Sequence, residues 1–114
     1  MVGTLAILLA FAPPQIHTDR VTGAVRAVFG LDIETTGATD EARALGVLRS
    51  EASLGLQTAG LRYVRTTRFG QRRTVFFQCM ADGVAVEERF VSVRLDAAGR
   101  ARRVHSDCDP WVLG

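Results

Sequence analysis

The sequence predicts an α+β fold in which two N-terminal helices pack on a four-stranded antiparallel β-meander. Three observations carry that expectation. The N-terminal half holds apolar residues at helical spacing, behind residues suited to capping. From Leu61 onward the pattern changes to short strand-like runs parted by turn residues. The chain has 114 residues, 47% hydrophobic and 23% charged, which suits one modest globular core.

The chain begins with an uncharged apolar run, residues 2–12. As a helix it would span roughly 17 Å, well short of the ~30 Å hydrocarbon core of a bilayer. That length suits the apolar region of a signal peptide, and Ala10-Phe11-Ala12 supplies a small-x-small cleavage pattern. Two features depart from the pattern: no Lys or Arg precedes the run, and Pro13 follows the cut. The other reading is a short apolar segment docked on the domain. Residues 1–15 are therefore read as a signal peptide or apolar leader, and 16–114 as a single α+β domain. No cysteine follows the run to carry a lipid, and no transmembrane span is expected. The expected location, if this leader is a signal peptide, is the periplasm or outside the cell.

Val21, Val25, Val28 and Phe29 recur at i, i+4, i+7 and i+8, which predicts a first helix over 19–29. Thr18 or Asp19 can cap it, and Gly30 fits the left-handed position after its last turn. Residues 31–37 read as a connector. Thr39 is a cap for a second helix, with Asp40 and Glu41 against the positive end of its dipole. Ala42, Leu45, Leu48 and Ala52 form its apolar stripe, and Gly55 is its stop. Residues 54–60 fit either an extension of this helix or a short strand.

Four strands follow, over 61–69, 73–80, 85–95 and 101–107. Gly70-Gln71 and Asp82-Gly83 are two-residue hairpin turns, and residues 96–100 make a longer turn around Gly99. Val91, Val93 and Leu95 share a face, and the last turn brings Val104 opposite Val93. Val75, Phe77 and Cys79 also share a face. A strict two-residue turn at Asp82-Gly83 would set those two apolar faces on opposite sides of the sheet. A bulge near Glu87-Glu88 or a three-residue turn would repair the conflict, and so would partial cover on both faces.

The only two cysteines in the chain, Cys79 and Cys108, are expected to form a disulfide, as suits an exported chain; the alternative is a free, buried Cys79. In a simple meander their strands flank a third and lie about 9.6 Å apart, whereas a disulfide needs Cα atoms within about 7 Å. The tail after residue 107 must therefore leave the sheet and fold back toward Cys79.

All 14 basic residues are arginine, as in the codon usage of GC-rich bacterial genomes, and the net charge is +2. That excess is too small to imply a specific nucleic-acid partner. Residues 1–57 hold four arginines against six acids, and residues 58–114 hold ten against six. Any anion-facing surface is thus expected in the second half. The sharpest feature is the first hairpin, where Arg62, Arg65, Arg68, Arg72 and Arg73 stand with Tyr63 and Phe69 and no acid between them. Guanidinium forks bind oxyanions bidentately, so this surface can hold phosphate, lipid headgroups or an acidic protein surface. Arginines on an edge strand also simply block strand-to-strand aggregation. Strict alternation would put Arg62 and Arg68 on one face, and Arg65 and Arg73 on the other.

Nothing in the sequence supports catalysis, and no enzyme is expected. His105, Cys108, Cys79 and His17 lack the paired spacing of a zinc site, and His105 reads as a surface or edge residue. Glu87 and Glu88 are strand neighbours, so they point to opposite faces and cannot share a proton. No nucleophile elbow, serine triad or phosphate loop is present. No cofactor or metal is expected. Trp111 reads as a plug over the end of the sheet.

Helices leading into an antiparallel sheet are similar to small outer-membrane assembly lipoproteins and β-lactamase-inhibitor-like domains. One helix against four strands resembles the cystatin architecture. These are resemblances of architecture alone, and they imply no activity. The expected function is a small exported, non-catalytic domain that binds an acidic protein surface or an anionic envelope component. The alternative is a small-ligand binder or minor enzyme with its pocket between helices and sheet.

Overall fold

The first predicted helix is a β-hairpin. In the computed structural model, which describes residues 14–50 and 60–108, strand β1 (Gln15–Thr18) turns back into strand β2 (Val25–Ile33). Asp19 does cap a local structure, but it is a turn: its Oδ1 accepts the backbone N–H groups of Val21 and Thr22 at 2.8 and 2.9 Å. Gly30 has the positive φ expected of it, at +75°, within a strand whose register against its neighbour shifts between Phe29 and Ile33. Val21 sits 94% exposed at the turn, so the helical spacing was a coincidence of one turn residue and a bulged strand.

The single helix among the described residues is α1 (Asp40–Ser50). Thr39 caps it as expected, its Oγ1 accepting the N–H of Ala42 at 3.1 Å. Its buried face is Ala44, Val47 and Leu48. Of the predicted stripe, Leu48 is buried, Leu45 packs half-buried against the core and Ala42 is exposed, while Ala52 lies outside the described residues. Gly55 and residues 54–59, like the leader up to residue 13 and Trp111, lie outside the described residues.

Four strands follow: β3 (Leu61–Phe69), β4 (Arg72–Ala81), β5 (Val84–Leu95) and β6 (Ala101–Ser106). They run as consecutive hairpins, but they are only part of the sheet. β2 pairs with β6, giving one six-stranded antiparallel sheet in the order β1-β2-β6-β5-β4-β3. The predicted two-helix, four-strand arrangement is thereby overturned, and with it the element order on which the architectural resemblances rested. β-branched Val25 and Val28 already favoured a strand over a helix.

One face of the sheet is the core face. Val28, Val75, Phe77, Cys79, Val91, Val93, Leu95 and Val104 are all buried there beneath Ala44, Val47 and Leu48 of α1. Val104 lies opposite Val93. The phase conflict between β4 and β5 is resolved by a bulge. Asp82 and Gly83, both at positive φ, make a two-residue turn that pairs Ala81 with Val84, yet Gln78 pairs with Phe90. The extra β5 residues are looped out around Glu88, which takes a φ of +59°, and the Gln78 amide holds them by donating to the carbonyls of Val86 and Arg89.

Cys79 and Cys108 are joined as a disulfide with Cα atoms 5.8 Å apart. The chain leaves the ladder after Ser106, and the Asp107 N–H donates to the Phe90 carbonyl, carrying Cys108 across β5 onto the core face. The bond is consistent with an oxidising compartment. No helix of the described residues is long and apolar enough to cross a membrane.

Candidate functional site

Partners directly opposite in an antiparallel ladder project to the same side of the sheet. The register therefore maps the face away from α1, row by row. One row crosses all six strands as Arg65, Phe76, Ser92, His105, Ala27 and His17. The next runs Thr67, Thr74, Arg94, Arg103, Phe29 and Gln15. Arginines alternate here with aromatic, hydroxyl and imidazole side chains.

The five arginines of the first hairpin are not one patch. β3 bulges between Tyr63 and Arg65, and this reverses the alternation expected of the strand. Arg62 and Arg65 fall together on the open face, opposite Gln78 and Phe76, and Arg72 joins them. Arg68 and Arg73 face α1, where both approach Asp40, at 4.0 and 3.4 Å. Arg73 also donates to the Asp96 carbonyl. These two brace the start of the helix against the sheet. β3 is an edge strand, so its exposed arginines also guard the edge.

Two arginines that the sequence reading did not single out lie at the centre of the open face. Arg94 and Arg103 are direct cross-strand partners. With Thr74, Phe76, Ser92 and His105 they line a cleft of about 270 Å³. Arg94 also lines an adjoining cleft of about 430 Å³ with Arg72, Leu95, Asp96 and Arg102. The guanidinium of Arg103 lies 4.6 Å from the centre of the Phe29 ring, and that of Arg65 lies 4.7 Å from Phe76. These contacts orient the cations without taking up their N–H donors. His17 meets the edge of Phe29, and His105 Nε2 is 3.8 Å from the Asp107 carboxylate. His105 is thus on an interior strand, not at an edge, because β2 covers β6.

The signal for Arg94 and Arg103 was present in the sequence. Once Val93 is set opposite Val104, the next pair along the ladder must be Arg94 and Arg103, on the side away from the core. Polar residues alternating with Val91, Val93 and Leu95 mark that side.

On the α1 side, a smaller cleft of about 190 Å³ lies between the helix and the loop after β2, lined in part by Glu34, Thr35, Arg43 and Gly46. Arg43 is already engaged there, donating to the Thr35 carbonyl and hydroxyl oxygens at 3.3 Å each. The Thr35 hydroxyl in turn donates to the Gly99 carbonyl.

Among the described residues, fold and surface together define a single antiparallel sheet with one helix on its core face and a cation-rich opposite face. Comparison with known protein families, curated proteins and solved structures returns no match.

Proposed function

We propose that the protein is a small exported, non-catalytic domain that binds an anionic macromolecule through the open face of its sheet. The partner is an acidic protein surface or an anionic envelope component. One observation carries this reading: among the described residues, Arg62, Arg65, Arg72, Arg94 and Arg103 share that face and none has an acid partner. Five arginines elsewhere are paired with acids, Arg26 with Asp19, Arg68 and Arg73 with Asp40, and Arg100 and Arg102 with Asp32. An unneutralised cationic face attracts polyanions over about one Debye length, roughly 8–10 Å at ordinary ionic strength. The disulfide supports the exported setting.

The test is retention on a sulfated polysaccharide resin, eluted with a salt gradient. Changing Arg62, Arg65 and Arg72 together to Gln should move elution to markedly lower salt. Arg68→Gln, on the helix face, should leave it almost unchanged. Equal elution of the open-face variant and the wild type would remove this face from consideration.

A further inference from the structure

Six arginines of the chain are partly buried: Arg26, Arg43, Arg73, Arg94, Arg100 and Arg103. Removing a cation from water is costly unless an acceptor takes its place. Four of the six obey that rule, through Asp19, Thr35, Asp40 and Asp32 respectively for Arg26, Arg43, Arg73 and Arg100. The two that have no acceptor among the described residues are Arg94 and Arg103, which are cross-strand partners of each other. Like charges placed directly opposite in an antiparallel pair repel and destabilise it. Among the described residues, Arg73 Nε and Arg103 Nε are both buried without a hydrogen bond, but Arg73 Nε has the Asp40 carboxylate at 3.4 Å whereas Arg103 has no acid beside it.

We propose that Arg94 and Arg103 form a two-pronged clamp for one tetrahedral phosphate oxyanion, seated in the cleft they line with Thr74 and Ser92. The inference rests on the open face being the contact surface, and it names the chemistry that the surface recognises. A carboxylate offers two oxygens in one plane and satisfies one fork. A phosphate group presents oxygens in several directions, so it can meet two guanidinium groups that line one cleft and still accept from the Thr74 and Ser92 hydroxyls beside them. Its negative charge converts the Arg94–Arg103 repulsion into two attractions. The cleft of about 270 Å³ has room for the group. Phosphate reaches this site either as the free ion or as a phosphomonoester headgroup at a lipid surface.

The experiment measures Tm of the full chain while phosphate replaces chloride at constant ionic strength, alongside co-sedimentation with phosphatidylcholine vesicles with and without phosphatidic acid. A ligand that binds only the folded state raises Tm in a saturable way. Wild type should show that rise, and Arg49→Gln, an exposed helix change, should match it. Arg94→Gln and Arg103→Gln should weaken phosphate binding about tenfold or more. In chloride alone, Arg94→Gln should melt no lower than wild type, because it relieves a like-charge pair; this separates loss of the site from loss of the fold. A Tm rise with inorganic phosphate identifies the free ion as sufficient. Clamp-dependent sedimentation with phosphatidic acid and no response to inorganic phosphate identifies the headgroup. No response to either, or an undiminished response in Arg94→Gln, overturns the clamp. Resin retention that depends on Arg62, Arg65 and Arg72 while phosphate has no effect would refute the clamp alone. A working clamp with unchanged retention in that triple variant would refute the broader reading alone.

Discussion

Asp32 shows how single acids position the arginines that do not serve the open face. Its Oδ1 accepts from Arg100 Nε at 2.5 Å and Arg102 at 3.1 Å, while its own carbonyl accepts from Arg100 at 3.1 Å. These bonds tie β2 to the start of β6 where their ladder is interrupted. The Arg100 hydrogen bond, more than any other contact, holds the Asp32 carboxyl below its ordinary value of 3.8. Its folded pKa is therefore below its unfolded one. The stabilisation is complete above the unfolded value and is lost as pH falls through the folded one. Urea midpoints of wild type and Asp32→Asn, followed from neutral pH to about pH 2, should converge as the acid limb is entered. Curves that stay parallel throughout would mean that the Arg100 contact does not persist in solution. Asp19 behaves in the same direction, chiefly because Thr22 and Val21 N–H groups donate to it. At this scale the sequence was informative about turn chemistry, since Asp19, Asp82-Gly83, Asp96 and Gly99 all sit at turns. It was less informative about charge partners, because Asp32 and Arg100 meet only once β2 has paired with β6.

At the scale of elements, bulges decide which side chains share a face. In β5 the bulge was legible because two apolar runs were out of phase across a two-residue turn, and burial of both on one face demanded extra residues. In β3 nothing announced it. Tyr63 and Val64 are exposed, and the arginine and threonine neighbours carry no burial signal, so the reversal at Val64 and the split of the arginines could not be read. β2 misled for a related reason. Val28 is core, Phe29 lies under Arg103 on the open face and Leu31 returns to the core after the bulge, which imitates helical spacing. The β5 bulge makes its own prediction. Glu88 occupies a left-handed conformation, at φ +59°, that a side chain disfavours by about 1–2 kcal/mol. Glu88→Gly should therefore raise stability by up to about 1 kcal/mol once glycine's larger entropy loss is subtracted. Gln78→Leu, which removes the amide that holds the bulge, should lower stability by about 1–3 kcal/mol. Thermal melts of the two variants would check both signs.

For the molecule as a whole, the disulfide and the open face lie on opposite sides of the sheet, and this separates stability from binding. Cys79 and Cys108 are both buried on the core face, and their bond closes a loop of sequence separation 29 containing β5 and β6. The N-terminal hairpin lies outside that loop and is held by β2 pairing with β6. By chain entropy such a closure stabilises the fold by about 3–4 kcal/mol. Changing both cysteines to Ala should reduce the unfolding free energy in guanidinium by about that amount, plus the smaller loss of buried sulfur contacts. Arg94 and Arg103 project away from this bond, from strands whose register is fixed by Val93 opposite Val104. The variant, studied well below its lowered Tm, should therefore still gain stability from phosphate to the same extent as wild type. A loss of that response in a chain that remains folded would mean that the clamp depends on the path of the chain after Ser106. The Cys108 crossover would then belong to the binding surface as well as to the core.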